Sequence, residues 1–214
     1  MPEVNHTPTY REQLRERILE VSMQAFATHG VRAVKMDDIA QMLGISKRTL
    51  YEVYENKESV LRAGVEKYRQ QNEEEIRAMD RLSKNVIELI LMMYEKKVDE
   101  WKKTCPQFYT DIGKYPQIVQ LLHSNHEKSY QYLLEFLRRG VKEQLFRNDI
   151  DMELLAQSFQ ALSEYMMQQH LYEQYSVEHI YRNLVLVIIR GACTTRGVQM
   201  IDKLFASKKP ATSL

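Results

Sequence analysis

Glycine and proline are scarce in this chain, seven and five in 214 residues. Glu, Lys, Gln, Leu, Met and Arg, which lose least side-chain freedom in a helix, are plentiful. An all-α fold is the first expectation. Cysteine is rarer still: Cys105 and Cys193 lie far apart, form no CxxC pair, and indicate neither a zinc site nor a disulfide framework. A long apolar run is missing, because LVLVIIRGA at 184–192 is too short to span a bilayer and contains Arg190. The amino end, MPEVNHTPTYREQ, lacks the apolar core of a secretory signal. A cytoplasmic location with no membrane attachment is expected. Excess charge of one sign is also absent, the net charge being +1. A surface coated with cations for indiscriminate nucleic-acid binding is thereby excluded, and any such function must rest on where a few cations sit.

Catalytic signatures are missing too. There is no glycine-rich phosphate loop and no Ser, Cys or carboxylate constellation of the kind that activates a nucleophile. His123 and His126 are three apart, but no carboxylate or cysteine nearby completes a metal set, and His170 and His179 are isolated. The expectation is a protein that is not an enzyme and that carries no cofactor and no metal.

What is present is helical periodicity. Leu14, Ile18, Val21, Ala25 and Phe26 form the apolar stripe of a helix from about Thr9 to His29, stopped by Gly30. MDDIAQML, 36–43, is a second helix with Asp37 and Asp38 suited to the positive end of its dipole. Gly44 and Ile45 break it. Ser46 is placed to cap a third helix, KRTLYEVY, which directs Leu50 and Tyr54 inward, and Asn56 caps a fourth that begins near Lys57 and runs towards QQNEEEIR. That charged run reads as a solvated face, with a hinge as the alternative.

Longer helices follow, at about 83–103, 108–114, 116–140, 152–172 and 177–204, with Asp149 or Asp151 and Ser176 as caps and no strand pattern. The polar tail, 206–214, is expected to be disordered.

The third helix is about two turns long and opens with Lys47 and Arg48. Two helices joined by a tight glycine turn, the second short and cationic, describe a helix-turn-helix, whose second helix presents its first residues to base edges in the major groove. An ordinary helical hairpin with a solvated cationic face fits the same pattern. Context favours the first reading, because a preceding helix completes a three-helix unit and a capped fourth helix follows it.

The segment from about Ile18 to Lys67 resembles the DNA-binding domain of the tetracycline repressor (TetR) family of bacterial transcriptional regulators, through DDIAQMLGISKRTLYEVYENKESVL. Ile39, Ala40, Gly44, Ser46, Thr49, Leu50, Tyr51, Tyr54, Lys57 and Glu58 match its pattern. The resemblance implies that Lys47 and Arg48 meet bases and phosphates. It implies that the hydroxyls of Thr49 and Tyr51 meet phosphate, and that Lys57 brings a cation to the DNA backbone. Lys35 and Met36, at the start of the second helix, complete the expected DNA-contacting set. Lys35 departs from the family by standing where a capping Ser or Thr is usual, leaving that helix to be held by packing or by DNA. Glu52 and Val53 depart by standing where aromatic, basic or histidine side chains are frequent. Glu52 can accept from a cytosine amino group or pair with a neighbouring cation, and the second reading is favoured.

The resemblance implies domains at 9–67 (helix-turn-helix) and 68–205 (helical regulatory and dimerisation domain). It implies a repressor that binds a palindromic double-stranded operator as a homodimer and releases it when a small, lipophilic effector binds. Met93, Trp101, Phe108, Tyr130, Phe159 and Met166 supply soft and aromatic surface for such a ligand, with ordinary core packing as the alternative for each. Leu155, Phe159 and Leu162 together with Ile180, Leu184, Val187, Ile188, Gly191 and Thr195 form the candidate dimer face. The alternative for the whole chain is an apolar-ligand carrier or interaction protein that keeps the helix-turn-helix as scaffold.

Overall fold

A computed structural model of the chain describes residues 9–123, 126–169 and 171–206. The first helix, α1 (Tyr10–His29), starts at a reciprocal cap: the Glu12 N–H donates to Thr9 Oγ1 (3.3 Å) and the Thr9 N–H to Glu12 Oε2 (2.7 Å). It ends at Gly30, whose N–H donates to the Phe26 carbonyl (2.8 Å) at φ +83°. A Cβ at Gly30 would stand 2.8 Å from Gln107 Cγ, so the position demands glycine for both backbone and space.

Next come α2 (Met36–Leu43), α3 (Lys47–Val53) and α4 (Lys57–Leu82). Although Lys35 offers no capping hydroxyl, its N–H donates to Asp38 Oδ2 (2.8 Å), so α2 carries its own cap three residues in. Gly44 closes α2 in the left-handed conformation (φ 64°, ψ 31°), while the Ile45 N–H reaches back to the Ala40 carbonyl (3.1 Å). Ser46 Oγ accepts the Thr49 N–H (3.0 Å) at the start of α3, and Asn56 and Ser59 bond reciprocally before α4. QQNEEEIR lies within the continuous α4. There Glu73 pairs with Lys128 and Arg77, and Glu75 with Lys96, so the run carries an ion-paired face.

Two compact units result. The first comprises residues up to 71 and 103–122. Its core centres on Ile18, Phe26, Val31, Ile39, Leu50, Val60 and Leu61. Ile112 from α6 (Pro106–Ile112) and Ile118 from α7 (Pro116–His123) join them. The sequence places 103–122 in the regulatory half, whereas these helices pack on the N-terminal core. Each is too short to bury its apolar face alone. The Cys105 N–H donates to the Ala27 carbonyl (2.7 Å), which fastens the segment to the last turn of α1.

The turn between α1 and α2 is held from both sides. Lys57 Nζ donates to the carbonyls of Val31 (2.8 Å), Val34 (2.9 Å) and Arg32 (3.4 Å). Asp111, fully buried on α6, accepts the Arg32 N–H (2.8 Å) and the Gln107 amide (3.0 Å), with Lys114 at 3.6 Å. Burial alone would raise the Asp111 carboxyl, but these donors hold it below the usual carboxylate range. Burial lowers Lys57.

The second unit comprises residues 72–102 and those after 122. It contains α5 (Val86–Lys102), α8 (His126–Lys142), α9 (Met152–Gln168), α10 (Leu171–Gln174), α11 (Val177–Ile180), α12 (Leu186–Ala192) and α13 (Thr195–Ala206). Asp151 caps α9, its Oδ1 accepting from the N–H groups of Glu153 and Leu154, and Ser176 caps α11. The core is formed by Val86, Ile87, Ile90, Leu137, Leu145, Phe146, Ala156, Leu186, Ile189 and Ile201.

Two expected helices are interrupted. The 116–140 helix is described as α7 and α8, with 124–125 outside the described residues, and 152–172 stops at Gln168. The 177–204 helix widens at Tyr181–Val185, where the Leu186 N–H reaches the Tyr181 carbonyl, and then breaks at Cys193 and Thr194. The break has a tertiary cause: the Thr194 N–H donates to the Leu145 carbonyl and the Arg147 N–H to the Ala192 carbonyl (both 2.9 Å), forming a short bridge of Phe146 with Cys193. The Thr194 hydroxyl oxygen then accepts the Gly197 N–H (3.2 Å) and restarts the helix. The polar tail from 207 on, His170 and the side chains of His123 and His126 lie outside the described residues, while Ala206 ends α13.

A Cβ at Gly197 would stand 2.3 Å from the Leu145 carbonyl oxygen, a backbone atom that cannot step aside. Gly197→Ala is expected to cost about 1–3 kcal/mol, read as a lowered midpoint of chemical denaturation. Lys57→Met, which leaves three turn carbonyls unpaired, is expected to cost about 2 kcal/mol in the same measurement. Because the folded form holds Asp111 below its ordinary 3.8, that group stabilises above this value and the contribution is lost as pH falls through the lower folded value. Asp111→Asn should therefore lower stability at neutral pH and flatten the acid limb of the stability curve; an unchanged limb would show that the carboxylate carries no such linkage.

Candidate nucleic-acid interface

In α3 the fully buried Leu50 and the nearly buried Tyr54 just beyond it turn inward. Lys47, Arg48, Tyr51 and Glu52 are exposed, and Thr49 is half-buried. A seven-residue helix anchored on one side leaves the other free to enter a groove about 12 Å wide. Two arginines of α1 steady its carboxyl end. Arg11 Nη2 reaches the Glu52 carbonyl (3.4 Å), and the Arg15 guanidinium lies 4.8 Å from the centre of the Tyr54 ring. Burial raises the Tyr54 phenol, which marks it as a packing residue.

Both leading cations of α3 have carboxylate partners. Lys47 Nζ lies 2.5 Å from Asp37 Oδ2, with side chains 64% and 52% exposed. Arg48 Nε donates to Glu52 Oε1 (2.9 Å), with side chains 89% and 60% exposed. The hydrogen bond and charge of Asp37 raise the Lys47 ammonium, which is therefore a full cation at neutral pH. Glu52 thus pairs with a neighbouring cation, as the sequence favoured. Asp37 as the partner of Lys47 was not legible, because ten residues and a turn separate them and only the angle between α2 and α3 brings them together. Thr49 Oγ1 lies 2.8 Å from Ser46 Oγ, so its hydroxyl is already engaged in the cap.

Two expected contact residues sit differently from the rest. Lys57 turns its ammonium into the α1–α2 turn, where three carbonyls occupy its three donors. Met36 is buried in the first core, so its side chain is not open to a ligand. Lys35 is exposed beside the amino end of α2.

The expected ligand-pocket residues divide between the units. Phe108 packs on the first core and meets Tyr109 edge-on at 5.5 Å. Tyr130 and Phe159 pack against the second core, Met166 is buried, and Met93 and Trp101 are half-buried within that unit. An aromatic nest that periodicity did not single out lies there too: Tyr94 is 4.8 Å from Tyr181 and 5.1 Å from Phe205, with burial raising the Tyr181 phenol. A groove of about 410 Å³ opens elsewhere, among Arg138, Val141, Lys142, Asn148 and Ile150–Glu153, and includes none of the expected lining.

Of the expected dimer face, Val187 is 58% exposed, and an added Cβ at Gly191 would meet nothing within 4 Å. Leu155, Phe159, Leu162, Leu184 and Ile188 are half-buried. Ile180 is buried within its own unit, and Thr195 falls beyond the break at Cys193, off the α11–α12 run. Leu154 and Tyr165, 61% and 54% exposed on α9, present apolar surface outside the expected dimer face. No helix among the described residues is long and apolar enough to cross a membrane.

Residues 18–63 match the family model of bacterial regulatory proteins, tetR family. The chain is 28% identical over 157 residues, 65% of its length and 71% of the relative's, to the HTH-type transcriptional repressor KstR2 of Rhodococcus jostii (strain RHA1). Its fold is similar to that of a transcriptional regulator from Saccharomonospora viridis in complex with choline, with TM-score 0.67 and 23% identity over 85% of this chain and 98% of that one. It is also similar to a TetR-family regulator from Cytophaga hutchinsonii, with TM-score 0.63 and 16% identity over 97% and 100%. With a helix-turn-helix whose exposed side carries matched residues, residues 18–63 form a DNA-binding domain of the tetR type, and the chain resembles tetR-family transcriptional regulators beyond it.

Proposed function

We propose that the protein is a ligand-responsive repressor that binds a palindromic operator as a homodimer. The observation that carries this reading is the sorting of α3, with Leu50 buried while Lys47, Arg48 and Tyr51 stand out together on its free side. Such a helix supplies direct base readout from its first turn and phosphate contacts from its hydroxyls and cations. Lys35 and the main-chain N–H of Met36 add phosphate contacts at the amino end of α2. Lys57 serves instead by holding the α1–α2 turn in place. One helix of two turns makes few contacts, and two copies spaced by a multiple of the DNA repeat supply the rest. The second copy docks on α9 and α12, where Leu154, Tyr165 and Val187 are exposed and Gly191 leaves room for a close backbone approach.

The effector binds within the second unit, among half-buried aromatic and methionine side chains such as Met93, Trp101, Tyr130 and Phe159. A lipophilic molecule suits that surface. The repressor name of the Rhodococcus jostii relative supports the sign of regulation. The choline complex of the Saccharomonospora viridis regulator supports a small-molecule effector. An effector that favours a different spacing of the two recognition helices lowers operator affinity by its differential binding to that state.

DNA flanking the protein's own gene should be bound in preference to random duplex, with affinity falling steeply as salt rises. Lys47→Ala is expected to weaken binding and reduce the salt slope by about 1. Tyr51→Phe should weaken it about fivefold with no change in oligomeric state. Lack of any preference over random DNA at moderate salt would refute the reading. For the interface, Val187→Glu should give a folded monomer in sedimentation velocity with much reduced operator affinity; a dimer of undiminished strength would exclude this face.

A further inference from the structure

The recognition helix carries its own competitors for phosphate. Each of its two leading cations is met by a carboxylate, Lys47 by Asp37 at 2.5 Å and Arg48 by Glu52 at 2.9 Å. All four side chains are more than half exposed, so neither pair is a buried structural bridge. Exposed pairs contribute little to stability, so the α2 dipole that Asp37 suits does not by itself account for its pairing with a cation of α3.

We propose that Asp37 and Glu52 are positioning residues that set the ratio of specific to non-specific DNA binding, a reading that rests on α3 being the recognition helix. Non-specific binding draws nearly all its strength from cations that neutralise phosphates. On a random duplex, Lys47 and Arg48 can lie against phosphate only by leaving their carboxylates or by bringing those carboxylates towards a negative backbone. Both routes weaken the complex.

At a matching site the demand is different. The bond to Glu52 uses Arg48 Nε and leaves the two Nη groups without a partner among the described residues, and these form the planar fork that meets guanine O6 and N7. Glu52 then holds the guanidinium plane along the helix while the fork faces the groove. Lys47 likewise gives one of three donors to Asp37 and keeps two for a base edge or a phosphate. The same carboxylates that oppose loose phosphate binding thus steady the donors used in base readout.

The test compares wild type with Asp37→Asn, Glu52→Gln and the double variant on random 30-base-pair duplex and on the DNA flanking the gene, over a salt series. The double variant is expected to bind random duplex about three- to thirtyfold more tightly, from two exposed pairs released. Its salt slope on that duplex should steepen by about 1 for each cation freed. Binding to the flanking DNA should stay level or weaken, so the specificity ratio falls at least threefold while the unfolding midpoint holds. An equal charge change in the other compact unit, Asp149→Asn with Glu153→Gln, should leave both affinities as they were. The inference is overturned if the double variant's ratio stays within twofold of wild type, or if the control pair tightens random binding as much. Failure of the wild type to prefer flanking DNA would instead count against the repressor reading, and random-duplex affinity would still decide whether the carboxylates oppose phosphate binding.

Discussion

The geometry of the N-terminal unit depends on one half-buried cation and one buried anion that share a turn. Lys57 binds the carbonyls of Val31, Arg32 and Val34, and Asp111 binds the Arg32 N–H, so four main-chain groups between α1 and α2 find partners without water. Buried main-chain groups left unpaired would each cost about as much as a lost hydrogen bond. The direction in which α2 leaves this turn is therefore fixed, and with it the direction of α3, which follows across the short break at Gly44 and Ile45. Gly30 is part of the same constraint, because any side chain there would strike Gln107 on the helix that carries Asp111.

Local chemistry was legible in the sequence. The caps at Ser46, Asn56, Asp151 and Ser176, the left-handed Gly44 and the inward Leu50 all follow from a few neighbouring residues. What escaped was set by distant partners. Lys57 reads as a cation at a helix start, which a phosphate would suit, yet carbonyls some 25 residues earlier reach it first. Cys193 and Thr194 lie within an unbroken apolar period, and only the pairing of 145–147 with that strip explains why the helix stops. Helices α6 and α7 join the first core for the same kind of reason: Ile112 and Ile118 have helical spacing that does not say which core receives them.

The second unit shows a further limit of periodicity. A methionine or aromatic residue at helical spacing can face a core, a ligand or a second copy, and the pattern is the same in all three cases. Tyr94, Tyr181 and Phe205 pack on one another around the widened turn at Tyr181–Val185, a feature no apolar count would place. Val187 occupies an equally apolar position in the same run but stands in solvent. Exposure separates the two where composition cannot.

Net charge, finally, is a poor guide to how such a protein meets DNA. A balance of +1 over the chain would suggest weak attraction to phosphate, and the pairing on α3 shows that the balance extends to the reading face itself. Affinity for DNA then cannot be supplied by bulk attraction. On the proposed reading it comes from directed donors: the Nη groups of Arg48, the remaining protons of Lys47, the Tyr51 hydroxyl and a main-chain N–H at the start of α2. Directed donors reward a matching sequence and give little on a mismatched one. A regulator built in this way loses less of its population to the excess of unrelated DNA.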